Sequence, residues 1–144
     1  MNMEYVLIIV KFIAIEEKIL GKIINEFEEN GCFIVKCKMI KLNEEQVKIC
    51  SVFFERDLSD LLYSESLILV LKGYNLITKM NIMINNIKQK NLELINDYFI
   101  NFDKYIIYNF KYINDSNELI IYFFNDSKKM FENLINFKIN DEKN

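Results

Sequence analysis

With 144 residues, 51% hydrophobic and 27% charged, the chain is one domain's worth of folded protein, not a disordered segment. A net charge of −3, with Arg56 as its single arginine and no run of lysines, removes any electrostatic case for nucleic acid. There is no histidine, so the commonest general base, zinc ligand and pH switch are all missing.

The first apolar run, Glu4 to Lys11, is rich in β-branched residues and predicts a strand buried on both faces. It is too short to span a bilayer and has no basic leader before it. Residues 16–31 follow with Ile19, Leu20, Ile23, Ile24 and Phe27 at helical spacing, and Gly31 sits where a C-terminal cap belongs. Cys32 to Leu42 alternates, with Phe33, Val35, Cys37 and Met39 on one face, and predicts a half-exposed strand. Asn43 before Glu44 and Glu45 predicts a helix start, running to about Cys50, with a further helix from Phe53 to Tyr63. Ser66–Leu71 is a second buried strand, Asn75–Ile84 a helix and Asn85–Asn96 a polar connection. Lys104–Tyr108 carries a third apolar core. Asp115 and Glu118 have capping-box spacing and open a helix through Phe124, and Ser127 to about Phe137 is a last amphipathic helix.

This order predicts an α+β, ferredoxin-like split β-α-β domain, with a four-stranded antiparallel sheet and two long helices covering one face. The domain is expected over 1–139, with 140–144 a polar tail. Cys32, Cys37 and Cys50 form no C-x-x-C pair and are odd in number, so they read as reduced thiols in a cytoplasmic protein without a membrane segment.

Three strings carry a resemblance. G-K-I-I-N-E-F-E-E-N-G matches G-x-I-I-x-R-F-E-x-x-G at Gly21, Ile23, Ile24, Phe27, Glu28 and Gly31; L-K-G-Y-N at 71–75 is similar to W-E-G-x-N; and residues 97–109 lie on D-F-x-x-x-x-G-R-N-I-I-H-G. On these strings the chain resembles nucleoside diphosphate kinases from Glu4 to about Phe124. The resemblance implies a ferredoxin-like fold and a histidine that passes the γ-phosphate from a triphosphate to a diphosphate. Tyr108 stands at that histidine's position. A phenol titrates at about 10, so it is mostly unactivated at neutral pH, and its phosphate ester is too stable to hand on.

The surrounding charges have gone the same way. Against the family pattern, Asn81 and Ile95 stand where arginines are expected, Tyr105 replaces an asparagine, and the glutamate that orients the histidine falls at Leu119. The family's tyrosine falls near Ser51, and the segment after it is about six residues shorter. The resemblance leaves Lys11 as a phosphate contact and Phe54 as the aromatic that stacks on the base. The expected function is therefore a degenerate member of the family, a binding or assembly module without phosphotransfer activity. The alternatives are a nucleotide-binding regulatory protein with a weakened pocket around Lys11 and Phe54, or a phosphotransferase moving the γ-phosphate from NTP to NDP by altered chemistry. Mg²⁺ is expected only together with a nucleotide. The expected partners are a second copy of the chain, NTP or NDP, and a protein of unknown identity. Dimers in this family use the strand and helix matching Cys32–Leu42 and Glu16–Asn30. The loop behind their hexamers, here Ile87–Asn96, has lost its proline and glycine, so a dimer is expected and a hexamer is not.

Overall fold

The computed structural model describes residues 3–91, 105–107 and 113–124, with side chains in the last segment from residue 116. Strand β1 (Met3–Val10) leads into a short helix α1 (Phe12–Glu16) and then α2 (Leu20–Glu29). Strand β2 (Phe33–Lys41), helix α3 (Glu44–Phe53) and a 3-10 turn (Ser59–Leu61) precede β3 (Glu65–Tyr74). Helix α4 (Leu76–Lys90), the short strand β4 (Ile106–Ile107) and α5 (Ile113–Phe124) complete the described chain. The four strands form one antiparallel sheet in the order β2-β3-β1-β4. All four expected strand segments are therefore present, and the ferredoxin-like reading holds.

Alternation along the two central strands builds the core on both faces of the sheet. Val6, Ile8, Val10, Leu67, Leu69 and Leu71 face α2 and α4, where Ile23, Phe27, Met80, Met83 and Ile87 close the first cluster. Leu7, Ile9, Ile68 and Val70 point the other way, toward Val47, Cys50 and Phe54 from the α3 side and Leu119 and Phe123 from α5. The expectation that helices cover one face is thus incomplete. Helices lie on both, because β1 and β3 are apolar on both sides and neither side can be left in water. Helix α5 is tied down where the Leu7 N–H donates to the buried Ser116 Oγ at 2.8 Å.

Several local expectations need correcting. The helix expected over 16–31 starts only at Leu20 and is preceded by the unforeseen α1. The two are separated by Lys18, left-handed at φ 62°, and by the Ile19 N–H returning to the Ala14 carbonyl. That break lets Ala14 and Ile19 both reach the core. The chain leaves α2 as foreseen. Gly31 takes φ 79°, and the Cys32 N–H bonds back to the Phe27 carbonyl. No helix runs from Phe53 to Tyr63. Instead Glu55 turns left-handed, and the Leu58 N–H is captured by Ser51 Oγ.

Helix α4 continues past Ile84 to Lys90, because Ile84 and Ile87 keep the apolar stripe going through a polar stretch. Four residues of the expected 87–96 loop are therefore helical. Helix α5 begins at Ile113, two residues before the expected cap. In β2, Phe33 is left at 65%, Val35 at 42% and Met39 at 48% exposure. A bulge between Ile34 and Lys36 shifts the register, which puts Phe33, opposite Lys72, and Met39, opposite Leu67, on different faces. Ile34 packs against the first cluster and Ile40 against the second. The expected helix at 127–137 and the tail lie outside the described residues.

Candidate functional site

The candidate site gathers where β1 ends. The Lys11 backbone N–H donates to the Tyr105 carbonyl at 2.8 Å, which stitches the end of β1 to the start of β4. From this point the Lys11 side chain reaches the 3-10 turn, where its Nζ donates to Asp60 Oδ2 at 2.7 Å. The lysine side chain is 14% exposed and the aspartate 59%. Around the pair opens a cleft of about 280 Å³, lined by Lys11, Phe12, Ile13, Glu16, Asp60, Leu61 and Ser64. A second opening, sharing Phe12 and Ser64, runs past Lys41 and Tyr63.

The turn that presents Asp60 is well anchored. Leu58 and Leu61 are buried beneath it, the Leu61 N–H bonds the Leu58 carbonyl, and the Tyr63 N–H bonds the Leu42 carbonyl. The Ser59 backbone N–H and hydroxyl together hold the Asp57 carboxyl below its usual range.

The other positions singled out by the sequence lie as follows. Tyr105 is 1% exposed, and its hydroxyl donates to Glu17 Oε2 at 2.6 Å, so it is oriented toward the α1–α2 side. Phe54 is 5% exposed and belongs to the cluster beneath α3 and α5. Leu119 is fully buried in that same cluster, which also includes Ile107 of β4. Ser51 serves the backbone by accepting from Leu58. Asn81 lies exposed on α4. Tyr108 follows β4 directly but lies outside the described residues, as does Ile95.

The fold thus brings Lys11 next to β4 and collects Phe54, Leu119 and Ile107 in one apolar cluster. It also adds two residues that the sequence reading did not single out, Asp60 and Glu17. Neither had a local signal, because each meets its partner across a long stretch of chain.

Comparison with known proteins decides the family. The family described as nucleoside diphosphate kinase matches residues 4–128. The chain belongs to the nucleoside diphosphate kinase family. A nucleoside diphosphate kinase of Methanocaldococcus jannaschii is 34% identical over 77 residues, 49% of this chain and 55% of that protein. The chain thus spans about half the length of that curated relative. Among solved structures, the Aquifex aeolicus nucleoside diphosphate kinase superposes with a TM-score of 0.67 at 23% identity, covering 87% of this chain and 97% of the other. The enzyme of Encephalitozoon cuniculi gives 0.63 at 17% identity, over 85% and 90%. A transition-state mimic of the Borrelia burgdorferi enzyme, with vanadate and ADP, gives 0.61 at 17% identity, over 86% and 88%. At these identities the structural likeness speaks for the shared fold. Within that nucleoside diphosphate kinase fold, this chain puts a lysine–aspartate pair at the end of β1 and apolar side chains at Phe54 and Leu119.

Proposed function

We propose that this chain is a nucleoside diphosphate kinase homologue that no longer transfers phosphate and works as a binding or assembly module. One observation carries the reading: the whole sequence contains no histidine. Phosphoryl relay through a protein side chain needs a group that is nucleophilic near neutral pH and forms a labile phosphoryl bond. With Tyr108 at the relay position, the nucleophile would be a phenol that titrates at about 10. No imidazole is available elsewhere in the chain to activate it. The buried leucine at 119 supports the same reading, since a carboxylate that orients a base would stand there.

The test is a coupled kinase assay on purified protein with ATP and a second nucleoside diphosphate. Turnover is expected to stay at the no-enzyme level, and Tyr108→His alone is expected to leave it there, since the positions of the missing charges remain unfilled. Turnover clearly above background in the parent protein would sink this reading.

Assembly through β2 is the natural use of the retained fold. This strand lies at the sheet edge, and Phe33, Val35 and Met39 stand exposed along it. Edge backbone with no further strand beside it among the described residues, next to apolar side chains, favours pairing with a second copy in a two-fold dimer.

A second reading, retained weak nucleotide contact, is favoured by the open cleft beside Lys11. In that reading Lys11 meets a phosphate, while Phe54, buried in the second cluster, would have to turn out of it to stack on a base. Mg²⁺ would then arrive on the nucleotide's phosphates and keep most of its waters. Among the described residues no group of three or more metal-ligating side chains converges. A thermal-shift titration with nucleoside di- and triphosphates and Mg²⁺ tests it, because a ligand that binds the folded state must raise the melting temperature.

A further inference from the structure

The Lys11 subsite carries its own anion. We propose that Asp60 is a built-in carboxylate that occupies Lys11 and closes this subsite to nucleoside polyphosphates. The proposal rests on the reading that Lys11 stands at the family's phosphate-contacting lysine, and it adds what now holds that lysine. The contact is 2.7 Å between Lys11 Nζ and Asp60 Oδ2, a short charge-assisted hydrogen bond.

Two features make Asp60 more than a passing surface partner. Its turn is anchored by the buried Leu58 and Leu61 and by the Tyr63–Leu42 backbone bond, so the carboxylate is delivered by a fixed backbone. The cleft also contains Glu16, so its lining has one cation against two carboxylates among the described residues. A di- or triphosphate approaching Lys11 must displace Asp60 and then sit beside a net negative wall. Like charges at such distances repel, and the lysine's attraction is already committed.

Asp60 is more than half exposed, so replacing it leaves the core untouched. The experiment is calorimetric titration of tripolyphosphate and of ADP, at low salt, into the parent protein, Asp60→Asn, and the double variant Lys11→Met/Asp60→Asn. Releasing the lysine and removing a neighbouring like charge should tighten tripolyphosphate binding by about tenfold in Asp60→Asn. The double variant should fall back to the parent level. ADP should follow the same order, since the shared chemistry is the phosphate chain. Asp60→Ser serves as a second variant and should behave as Asp60→Asn does.

Equal affinity in the parent and Asp60→Asn overturns the proposal, and so does no binding by either. Retention of the gain in the double variant also overturns it, because the freed cation would then not be Lys11. The kinase assay on the same proteins keeps the two readings apart. Turnover would refute the loss of phosphotransfer, whereas the binding order alone decides the role of Asp60.

Discussion

Restoring the family's glutamate at Leu119 should unfold this protein rather than repair it. Leu119 is fully buried in the cluster that also holds Leu7, Ile9, Val47, Cys50 and Phe123. A glutamate there finds apolar neighbours and no base to orient. Burial pushes such a carboxyl up to a pKa of about 8–9, so at neutral pH the folded state holds it protonated. Binding that proton costs about 1.4 kcal/mol for each pH unit above the ordinary value near 4.3, or about 3.7 kcal/mol at pH 7. Lost leucine packing adds about 1–2 kcal/mol. The total of about 5 kcal/mol matches the whole stability of a marginal domain.

The sign is distinctive, because a raised folded-state pKa leaves the variant least damaged in acid. From pH 5 to pH 8 the penalty of Leu119→Glu should grow by about 1.4 kcal/mol per unit. Leu119→Gln should show a penalty that does not change with pH. Urea unfolding followed by circular dichroism at pH 5, 6, 7 and 8 measures both, with the slope against urea checked for constancy. A Leu119→Glu penalty that is flat with pH, or below about 1 kcal/mol at pH 7, would refute the placement of this side chain in a dry core.

Glu26, 3% exposed between α2 and α4, should matter in the opposite pH direction. Burial pushes its carboxyl up, but hydrogen bonds from Lys90, Asn86 and Asn30 more than offset this and hold it below the usual range. Its stabilisation is therefore present above the unfolded-state value near 4.3 and is lost as pH falls through the folded one. Glu26→Ala should cost about 1–3 kcal/mol at pH 7 and much less at pH 3, measured by the same urea titration. For the cysteines, alkylation at pH 8 should label Cys37 first once Phe33→Lys with Met39→Lys has freed β2 from the proposed dimer contact. Cys50, buried with its thiol pushed up to about 12, and buried Cys32 should react only on unfolding, as peptide mass mapping will show. Light scattering after size exclusion should give a mass near twice the 17.3 kDa of one chain. Phe33→Lys with Met39→Lys should halve it, and a dimer that survives both would place the contact elsewhere.

The sequence by itself determined the family, the four strands and the loss of histidine. These are local or cumulative signals: unbroken apolar runs in β1 and β3, the Gly31 cap, and three strings in the right order. It also marked Tyr108 and Leu119, since those depend on alignment and not on packing. Tertiary structure decided the rest. Alternation alone grouped Phe33, Val35, Cys37 and Met39 on one face, but a bulge in this edge strand divides them, with Phe33 opposite Lys72 and Met39 opposite Leu67. Polar letters after Ile84 suggested a loop, yet Ile84 and Ile87 had a sheet to pack on and kept the helix going to Lys90. Residues 53–63 could have formed a helix until Ser51 captured the Leu58 N–H. Asp60 meets Lys11 across 49 positions of sequence, a separation at which propensity and periodicity carry no information. Such a pairing exists only once the sheet has brought the end of β1 beside the turn before β3.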